Sequence, residues 1–207
     1  MNKLMMTMSI IFFAPGFVFG NTVVFQPGPD IGQDTSASSY HPDDNWGDQE
    51  VMFVEYGYRS FLRFTQLCGY LGCEITSAEL HIWYANYGDF SVGVKFCRVL
   101  EPWDEDSLTW NNQPGYSSSE YVQHSFPQSE YEPLEGIVDV TWMVQKWLSG
   151  EWDNCGWCMT GIYYIAIATS NYTYTTQRPK LVLVGPHLPP LAVQPASLGK
   201  VKSLYSP

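Results

Sequence analysis

The stretch DVTWMVQKWLSGEWDNCGWCM, residues 139–159, decides the fold, because it holds the one convincing helix signal in the chain. Its apolar residues recur at the three- to four-residue spacing that places side chains on one helical face: Met143, Val144, Trp147 and Leu148. Asp139 and Thr141 are residue types that cap the amino end of a helix, and Gly150 is the type that ends one. The sequence therefore predicts one short helix near residues 141–149, packed against a β-rich body.

Outside this stretch the pattern is that of β-strands. Residues 74–85 alternate between a face with Ala78, Leu80, Ile82 and Tyr84 and a face with Glu79, His81 and Trp83. Residues 92–97 alternate as well, and we expect the two runs to pair antiparallel. Further strands are predicted at residues 22–25, 50–55, 59–66, 121–126, 156–169 and 180–184, and a polar loop at residues 27–48. This pattern predicts an all-β, two-sheet antiparallel sandwich of jelly-roll type.

Three segments of different composition divide the chain. Residues 1–20 combine one basic residue, a short apolar core and a small residue at the end, which predicts a secretory signal peptide. A membrane anchor is the rival interpretation, and Pro15 interrupts the apolar run that it needs. Residues 21–184 form the predicted domain. Residues 185–207 are a Pro-rich tail, expected to be extended or disordered, or else added as a strand to a sheet edge of this chain or of a partner protein.

The acidic charge of the chain limits its partners. Ten basic and twenty-one acidic residues give a net charge of −11. Such a charge repels nucleic acid, anionic membrane surfaces and polyanionic sugars unless a basic patch or a bound cation intervenes. No apolar stretch after the signal is long enough to span a bilayer. Eight Trp and fourteen Tyr residues suit both a β-core and the stacking of sugar rings.

Five cysteines in an exported chain predict disulfides, with one thiol left over. The close pairs are Cys68 with Cys73 and Cys155 with Cys158, and these are the candidate bridges. Cys97 is expected to be a buried free thiol or the partner of one of these four. A redox motif and a four-thiolate zinc site are less favoured, because the pairs lack the helix start and the ribbon that those sites need.

Residues 27–48 contain oxygen ligands of the type that calcium prefers. The candidates are Asp30, Asp34, Asp43 and Asn45. A solvated region in which Asp forms turns is the alternative, since the spacing of a known calcium loop is absent.

Catalytic motifs of the common hydrolases, metalloproteases and phosphate-binding enzymes are absent from the sequence. The four histidines are scattered along the chain. Asp104, Glu105 and Asp106 are carboxyl groups of the kind that glycoside cleavage needs, although adjacent carboxylates in a polar turn are more typical of a solvated connection. We therefore expect no enzymatic activity.

A binding module would stack sugars on exposed aromatic side chains. Trp83 is the strand candidate, because it lies on the face opposite Leu80 and Ile82; the loop candidates are Trp46, Tyr40 and Tyr87. Burial in the core is the alternative for each of them. Three other tryptophans are assigned to the core: Trp110, Trp142 and Trp147.

Several stretches together resemble the DNRLRE domain family. They are residues 25–34 (FQPGPDIGQD), 45–47 (NWG), 59–64 (RSFLRF), 75–80 (ITSAEL), 103–114 (WDEDSLTWNNQP), 138–154 with Gly156 and Trp157, and 178–182 (RPKLV). The resemblance implies a secreted jelly-roll module, related to alginate-binding carbohydrate-binding modules, that binds carbohydrate or another cell-surface polymer. Direct binding of alginate would call for a basic groove, which the acidic charge does not favour. The competing interpretation is a structural or adhesive extracellular subunit that assembles through sheet edges or its tail.

Overall fold

The computed structural model describes residues 20–129 and 132–191, so the predicted signal peptide and most of the tail lie outside the described residues. The described elements are β1 (Asn21–Phe25), β2 (Asp34–Ser38), β3 (Val51–Val54), β4 (Tyr58–Leu62), β5 (Ser77–Ala85), β6 (Val92–Val99), β7 (Tyr116–Phe126), β8 (Leu134–Asp139), α1 (Thr141–Leu148), β9 (Trp157–Thr160), β10 (Ile165–Ala168) and β11 (Lys180–Gly185). Two short 3-10 helices occupy Thr65–Tyr70 and Thr175–Gln177.

The strands form two antiparallel sheets. The first sheet has the order β1-β11-β5-β10-β3, and β8 pairs with the other edge of β5. The second sheet has the order β2-β4-β9-β6-β7. Successive strands mostly alternate between the two sheets, the connectivity of a jelly-roll-type sandwich. The predicted two-sheet β-sandwich with one short helix is confirmed.

The core lies between the two sheets and is closed on one side by α1. Met143, Val144, Trp147 and Leu148 are all buried, as the helical spacing predicts. The Trp147 ring meets the Trp157 ring of β9 edge to face, with centroids 4.7 Å apart. Trp142 points away from the core and is 42% exposed, so its assignment to the core is wrong. It lies on the opposite helical face and packs against Trp152.

Local signals explain where α1 begins and ends. The Asp139 carboxylate accepts hydrogen bonds from the Thr141 N–H (2.9 Å) and hydroxyl (2.6 Å). Gly150 follows the helix with a φ of 74°, a conformation that favours glycine. At eight residues α1 is far too short for a bilayer, and no described helix is long and apolar enough to cross one.

The predicted pairing of residues 74–85 with residues 92–97 is wrong. The alternation itself is confirmed, because Ala78, Leu80, Ile82 and Tyr84 are buried in β5. However, β5 belongs to the first sheet and β6 to the second, where β6 pairs with β7 and β9. A period of two reports which face of a strand is buried and not which neighbour it pairs with.

Residues 27–48 do not form a single loop, because they contain β2. This strand is buried along its whole length although its sequence is DTSAS. Its polar groups find partners: the Ser36 hydroxyl meets that of Ser60 (3.1 Å) and accepts the Phe53 N–H (2.9 Å). Without apolar alternation the strand has no period-two signal.

Other predicted strands also differ in their arrangement. β3 and β4 lie in different sheets, and the predicted strand at residues 156–169 divides into β9 and β10.

All five cysteines are free thiols in the structure, so neither predicted bridge is formed. Cys68 lies exposed on a 3-10 helix and Cys73 follows that helix, whereas Cys155 and Cys158 are buried. Cys97 is buried, as predicted, and stands directly opposite Cys158 on the neighbouring strand.

The two helix tryptophans predict a clear difference in stability. Trp147→Ala leaves a cavity against Trp157, and we expect it to lower the free energy of unfolding by about 3–5 kcal/mol. Trp142→Ala removes one partly exposed ring contact, and we expect a loss of about 1 kcal/mol. Urea unfolding followed by fluorescence measures both values. Equal losses in the two variants would contradict the packing of α1.

Candidate functional site

A break in the first sheet creates the most distinctive surface of the molecule. β10 and β11 run in the same direction along one edge of β5, with Ile167 opposite Tyr84 and Lys180 opposite His81. The intervening residues 169–179, here called the β10–β11 loop, leave the sheet beside Trp83. The loop therefore rises over the outer face of the sheet next to an outward-pointing tryptophan.

The loop and the sheet enclose a groove of about 180 Å³. Its floor is made of small side chains from two neighbouring strands, Ala85, Ala166 and Ala168. The remaining lining residues are Val51, Trp83, Tyr84, Tyr87, Pro133, Tyr172 and Gln177. Trp83 points into it because its neighbours Ile82 and Tyr84 point into the core. The alanine floor leaves space between aromatic walls, which is the shape that a flat ligand needs.

A buried carboxylate anchors the start of the β10–β11 loop. Asp34, the first residue of β2, accepts the Ser170 N–H with both oxygens (3.0 and 2.9 Å) and the Ser170 hydroxyl (3.3 Å). A Cβ on Gly32 would lie 2.1 Å from the Ser170 hydroxyl oxygen, so only glycine leaves room for this contact. Thr169 and Asn171 add hydrogen bonds to the carbonyls of Gln49 and Gly47 (both 2.7 Å). The loop is thereby tied to the second sheet.

The second half of the loop positions the groove residues. The Arg178 Nε donates to the Tyr172 carbonyl (2.9 Å), and the Gln177 N–H donates to the Tyr174 carbonyl (2.9 Å). The rings of Tyr172 and Tyr174 lie 5.8 Å apart. These contacts close the loop on itself and hold Tyr172 and Gln177 against the groove.

A row of aromatic side chains continues from the groove along the edge of the sandwich. Phe53 stands opposite the floor residue Ala166 on the neighbouring strand. Its ring centroid lies 5.9 Å from that of Tyr164 and 6.0 Å from that of Tyr58. Tyr58 in turn lies 5.9 Å from Tyr40. The row extends the aromatic surface well beyond the groove itself.

The structure brings two of the four predicted sugar-binding residues together. Trp83 and Tyr87 both line the groove, and Tyr87 is 57% exposed. Tyr40, 61% exposed, lies at the far end of the aromatic row. Trp46 is partly buried beside His41 (6.1 Å between centroids) and does not line the groove.

Sequence reasoning missed Tyr172, Gln177 and the alanine floor. Tyr172 and Gln177 lie in a segment without strand periodicity, and they reach Trp83 only because β10 and β11 pair with the same edge of β5. In β10, Ala166 and Ala168 alternate with the buried residues Ile165 and Ile167. This alternation was the one sequence signal for the alanine floor of the groove.

The charged side chains beside the groove are mostly acidic. Glu135 stands opposite Trp83 on β8. It contacts Lys180 (2.9 Å) and His81 (3.0 Å), and the hydrogen bond from Lys180, with a further one from His81, lowers the pKa of the Glu135 carboxyl. Glu50 precedes the lining residue Val51 and accepts a hydrogen bond from the Thr173 hydroxyl.

The four predicted calcium ligands lie in different environments. Asp30 is in an exposed turn, and Asp34 is buried against Ser170. Asp43 accepts from the Asn111 amide (2.8 Å), and the Asn45 amide donates to the Glu105 and Leu108 carbonyls (2.7 and 2.8 Å). Within residues 20–129 and 132–191, no group of three or more His, Cys, Asp and Glu side chains is arranged to hold a metal ion. Calcium binding by these residues stays a prediction.

Asp34 and Glu105 form a buried acidic pair beneath the loop. The Asp34 N–H donates to the Glu105 carboxylate. Burial raises the pKa of Asp34 to about 7, against the hydrogen bonds from Ser170. Burial, followed by the charge of Asp34, raises the pKa of Glu105 to about 8. One Glu105 carboxylate oxygen, Oε1, has no hydrogen-bond partner.

The Asp104 carboxylate, next to Glu105 in the chain, has a structural position. The Asp104 side chain accepts the Asp106 N–H (3.0 Å) within a turn. A second cavity of about 420 Å³ lies over this turn, lined by Pro102, Trp103, Asp104, Ser107, Leu108 and Asn112. Trp103 is buried there and its indole N–H donates to the Cys155 carbonyl (2.8 Å). Trp103 is the one aromatic residue among those that line this cavity, and because it is largely buried the aromatic groove is the better candidate for a ligand site.

One family model matches this chain, over residues 30–185, and its description is carbohydrate-binding module family 96. The match spans most of the chain, including the groove and the β10–β11 loop. It confirms the resemblance at the level of a carbohydrate-binding module, while the DNRLRE family is not shown by it. No curated protein matches the chain.

The buried acidic pair predicts that stability falls as pH rises. Because the pKa of each carboxyl is raised in the folded state, the folded protein binds more protons than the unfolded chain above about pH 4, and stability is lost as pH rises through about 7 and 8. Between about pH 6.5 and 8 we expect the free energy of unfolding to fall by about 2 kcal/mol. Urea unfolding across this range measures it. At lower pH, the lowered pKa of His124 has the opposite effect, because it makes the free energy of unfolding rise with pH.

Glu105→Gln is the matched variant, since it keeps the shape and removes one of the two titrating groups. We expect its loss of stability over the same range to shrink to about 1 kcal/mol. A wild-type protein whose stability is constant or rises from pH 6.5 to 8 would contradict the buried acidic pair.

Proposed function

Because this chain belongs to carbohydrate-binding module family 96, we propose that it is a secreted, non-catalytic module that binds polysaccharide in the groove beside Trp83. The observation that carries the proposal is the groove itself. Trp83, Tyr87 and Tyr172 stand around an alanine floor on the outer face of a sheet. Trp83 lies on the face of β5 opposite the buried residues Leu80 and Ile82, so its ring faces away from the core.

The groove chemistry suits a pyranose chain. Aromatic rings bind the apolar C–H face of a sugar, and their polar ends hydrogen-bond to hydroxyls. Tyr87 and Tyr172 supply phenolic hydroxyls, and Gln177 supplies an amide that both donates and accepts. Phe53 and Tyr164 extend the apolar surface beyond the groove. A chain of several sugars is therefore a better match than a single one.

The lining of the groove supports binding without catalysis. The residues that line the groove carry no carboxyl, imidazole or thiol group, and glycoside cleavage needs two carboxyl groups that flank the bond. Secretion rests on the signal pattern of residues 1–20, which would place the groove where extracellular or cell-surface polysaccharide is found.

A second function, assembly with another protein, is favoured by one observation. Tyr56 and Ile162 are 76% and 71% exposed, and a backbone hydrogen bond joins them (3.2 Å). The exposed rings of Phe90 and Tyr163 pack together, with centroids 4.7 Å apart. Exposed apolar clusters of this kind mark protein contacts as well as ligand sites.

Trp83→Ala tests the polysaccharide site. We expect the variant to bind its polysaccharide at least about tenfold more weakly, because a stacking ring is lost. Trp142→Ala is the matched control, since it removes a partly exposed tryptophan that does not line the groove, and we expect unchanged affinity. A polysaccharide screen followed by calorimetry measures both, and circular dichroism checks the fold.

The same screen is run with calcium and with a chelator, which tests the predicted ligands Asp30, Asp34, Asp43 and Asn45. Equal affinity of Trp83→Ala and the wild-type protein would remove the groove from the binding site. Absence of binding to every polysaccharide, in a folded sample with or without calcium, would favour the assembly function.

A further inference from the structure

Two buried cysteines face each other across neighbouring strands of the second sheet. Cys97 of β6 stands directly opposite Cys158 of β9, and among the described strand pairs this is the one register position that joins two cysteines. We infer that Cys97 and Cys158 form a cross-strand disulfide when the protein folds under oxidising conditions. This covalent site lies outside the groove and does not depend on the proposed ligand.

The backbone geometry of the pair suits the bond. Directly opposed residues in antiparallel strands have Cα atoms about 4.5–5.5 Å apart and side chains on the same face, and a disulfide spans Cα distances of about 4.4–6.8 Å. In the structure both groups are thiols, and the Cys97 sulfur lies 3.9 Å from the Thr160 hydroxyl oxygen. Thr160 is two residues beyond Cys158 on the same strand. A change of the Cys97 rotamer, without a change of strand register, therefore brings its sulfur towards Cys158.

The pair belongs to a second apolar cluster on the outer face of the second sheet. The neighbours of the two cysteines along each strand, Phe96 and Met159, point into the core between the sheets. The second cluster contains Cys97, Cys158, Ala37, Phe61, Val99, Trp103, Leu108 and Cys155. It is much smaller than the main core, so it buries less apolar surface to hold β6 and β9 together. Exported proteins use disulfides where the buried apolar surface is limited.

The bond forms by thiol–disulfide exchange with a small disulfide oxidant, such as oxidised glutathione. One cysteine thiolate attacks the oxidant and releases one glutathione thiolate, and the second cysteine then displaces the other glutathione. The two cysteines lose two protons and two electrons, and the oxidant becomes two thiols. Burial, followed by the charge of Cys97, raises the pKa of Cys158 well above its usual value, so its thiolate is scarce in the folded protein. We therefore expect exchange during folding, before the cluster closes.

Cys155 is the competing partner for either thiol. It precedes β9 and faces no cysteine across a strand pair, so the strand register does not bring it to Cys97 or Cys158. Its carbonyl accepts the indole N–H of Trp103 (2.8 Å), which fixes its backbone under the covering segment. Burial raises the pKa of the Cys155 thiol as well. Cys155 is therefore expected to stay a buried free thiol.

Disulfide mapping of the whole protein tests the inference. The protein is unfolded with reductant and refolded in a mixture of reduced and oxidised glutathione. Free thiols are then alkylated in denaturant, and the digested protein is analysed by mass spectrometry without reduction. We expect a cross-linked peptide pair that contains Cys97 and Cys158, with Cys155 alkylated. Cys68→Ser is the matched control, since it removes an exposed thiol outside the strands, and we expect the same bridge in it.

The bridge is also expected to raise the melting temperature. It closes a segment of about 60 residues, and cross-linking a long segment restricts the unfolded chain. We expect protein refolded with oxidised glutathione to melt at least about 5 °C higher than protein refolded in reductant. In Cys97→Ala and in Cys158→Ala the two preparations are expected to melt at the same temperature. Comparing preparations of one variant separates the effect of the bond from that of the lost side chain.

Two results would overturn the inference. In the first, a folded protein refolded with oxidised glutathione still has both Cys97 and Cys158 open to alkylation in denaturant, so the pair is not oxidised. In the second, one of these cysteines is bridged to Cys155 in both the wild-type protein and Cys68→Ser, so the connectivity is different. Neither result bears on polysaccharide binding in the groove, which is tested separately with Trp83→Ala.

Discussion

The contact between the Asp34 carboxylate and Ser170 is the constraint on which the rest of the site depends. Asp34 is the first residue of β2 in the second sheet, and Ser170 lies near the start of the β10–β11 loop of the first sheet. The contact therefore fixes where the chain leaves β10 and how the loop is placed before the chain enters β11. The pairing of β10 and β11 with one edge of β5 brings Tyr172 and Gln177 to Trp83, and the contacts of Ser170 and Arg178 hold the loop in place there. Glycine at position 32 is required for the same reason.

This anchor has a cost in stability. Asp34 and Glu105 are both buried and close to each other, and burial raises the pKa of each carboxyl. Charging such a pair at neutral pH opposes folding, while the hydrogen bonds from Ser170 offset part of the penalty for Asp34. Proteins tolerate local costs of this kind where they position a functional surface. Here the surface is the proposed binding groove, and the large aromatic core around Trp147 and Trp157 supplies the stability that the pair removes.

The basic side chains of the described residues have structural partners. Arginine and lysine side chains are used as supports for aromatic rings and carboxylates, as in Arg59 over Trp110 and Arg98 over Trp152. The residues that line the groove are uncharged, and Glu135 beside it is paired with Lys180 and His81. In the proposed site, stacking and hydroxyl hydrogen bonds are the interactions that the lining side chains offer to a ligand.

The sequence by itself determined the features that depend on neighbouring residues. The apolar spacing of residues 143–148 fixed α1, and the alternation in β5 fixed the outward direction of Trp83. The order of β-rich runs indicated a sandwich. Tertiary structure alone decided the strand neighbours, the burial of the polar strand β2, and the meeting of Tyr172 and Gln177 with Trp83. The physical reason is that periodicity records which side of a strand is buried, whereas pairing and loop position depend on contacts between residues far apart in the chain.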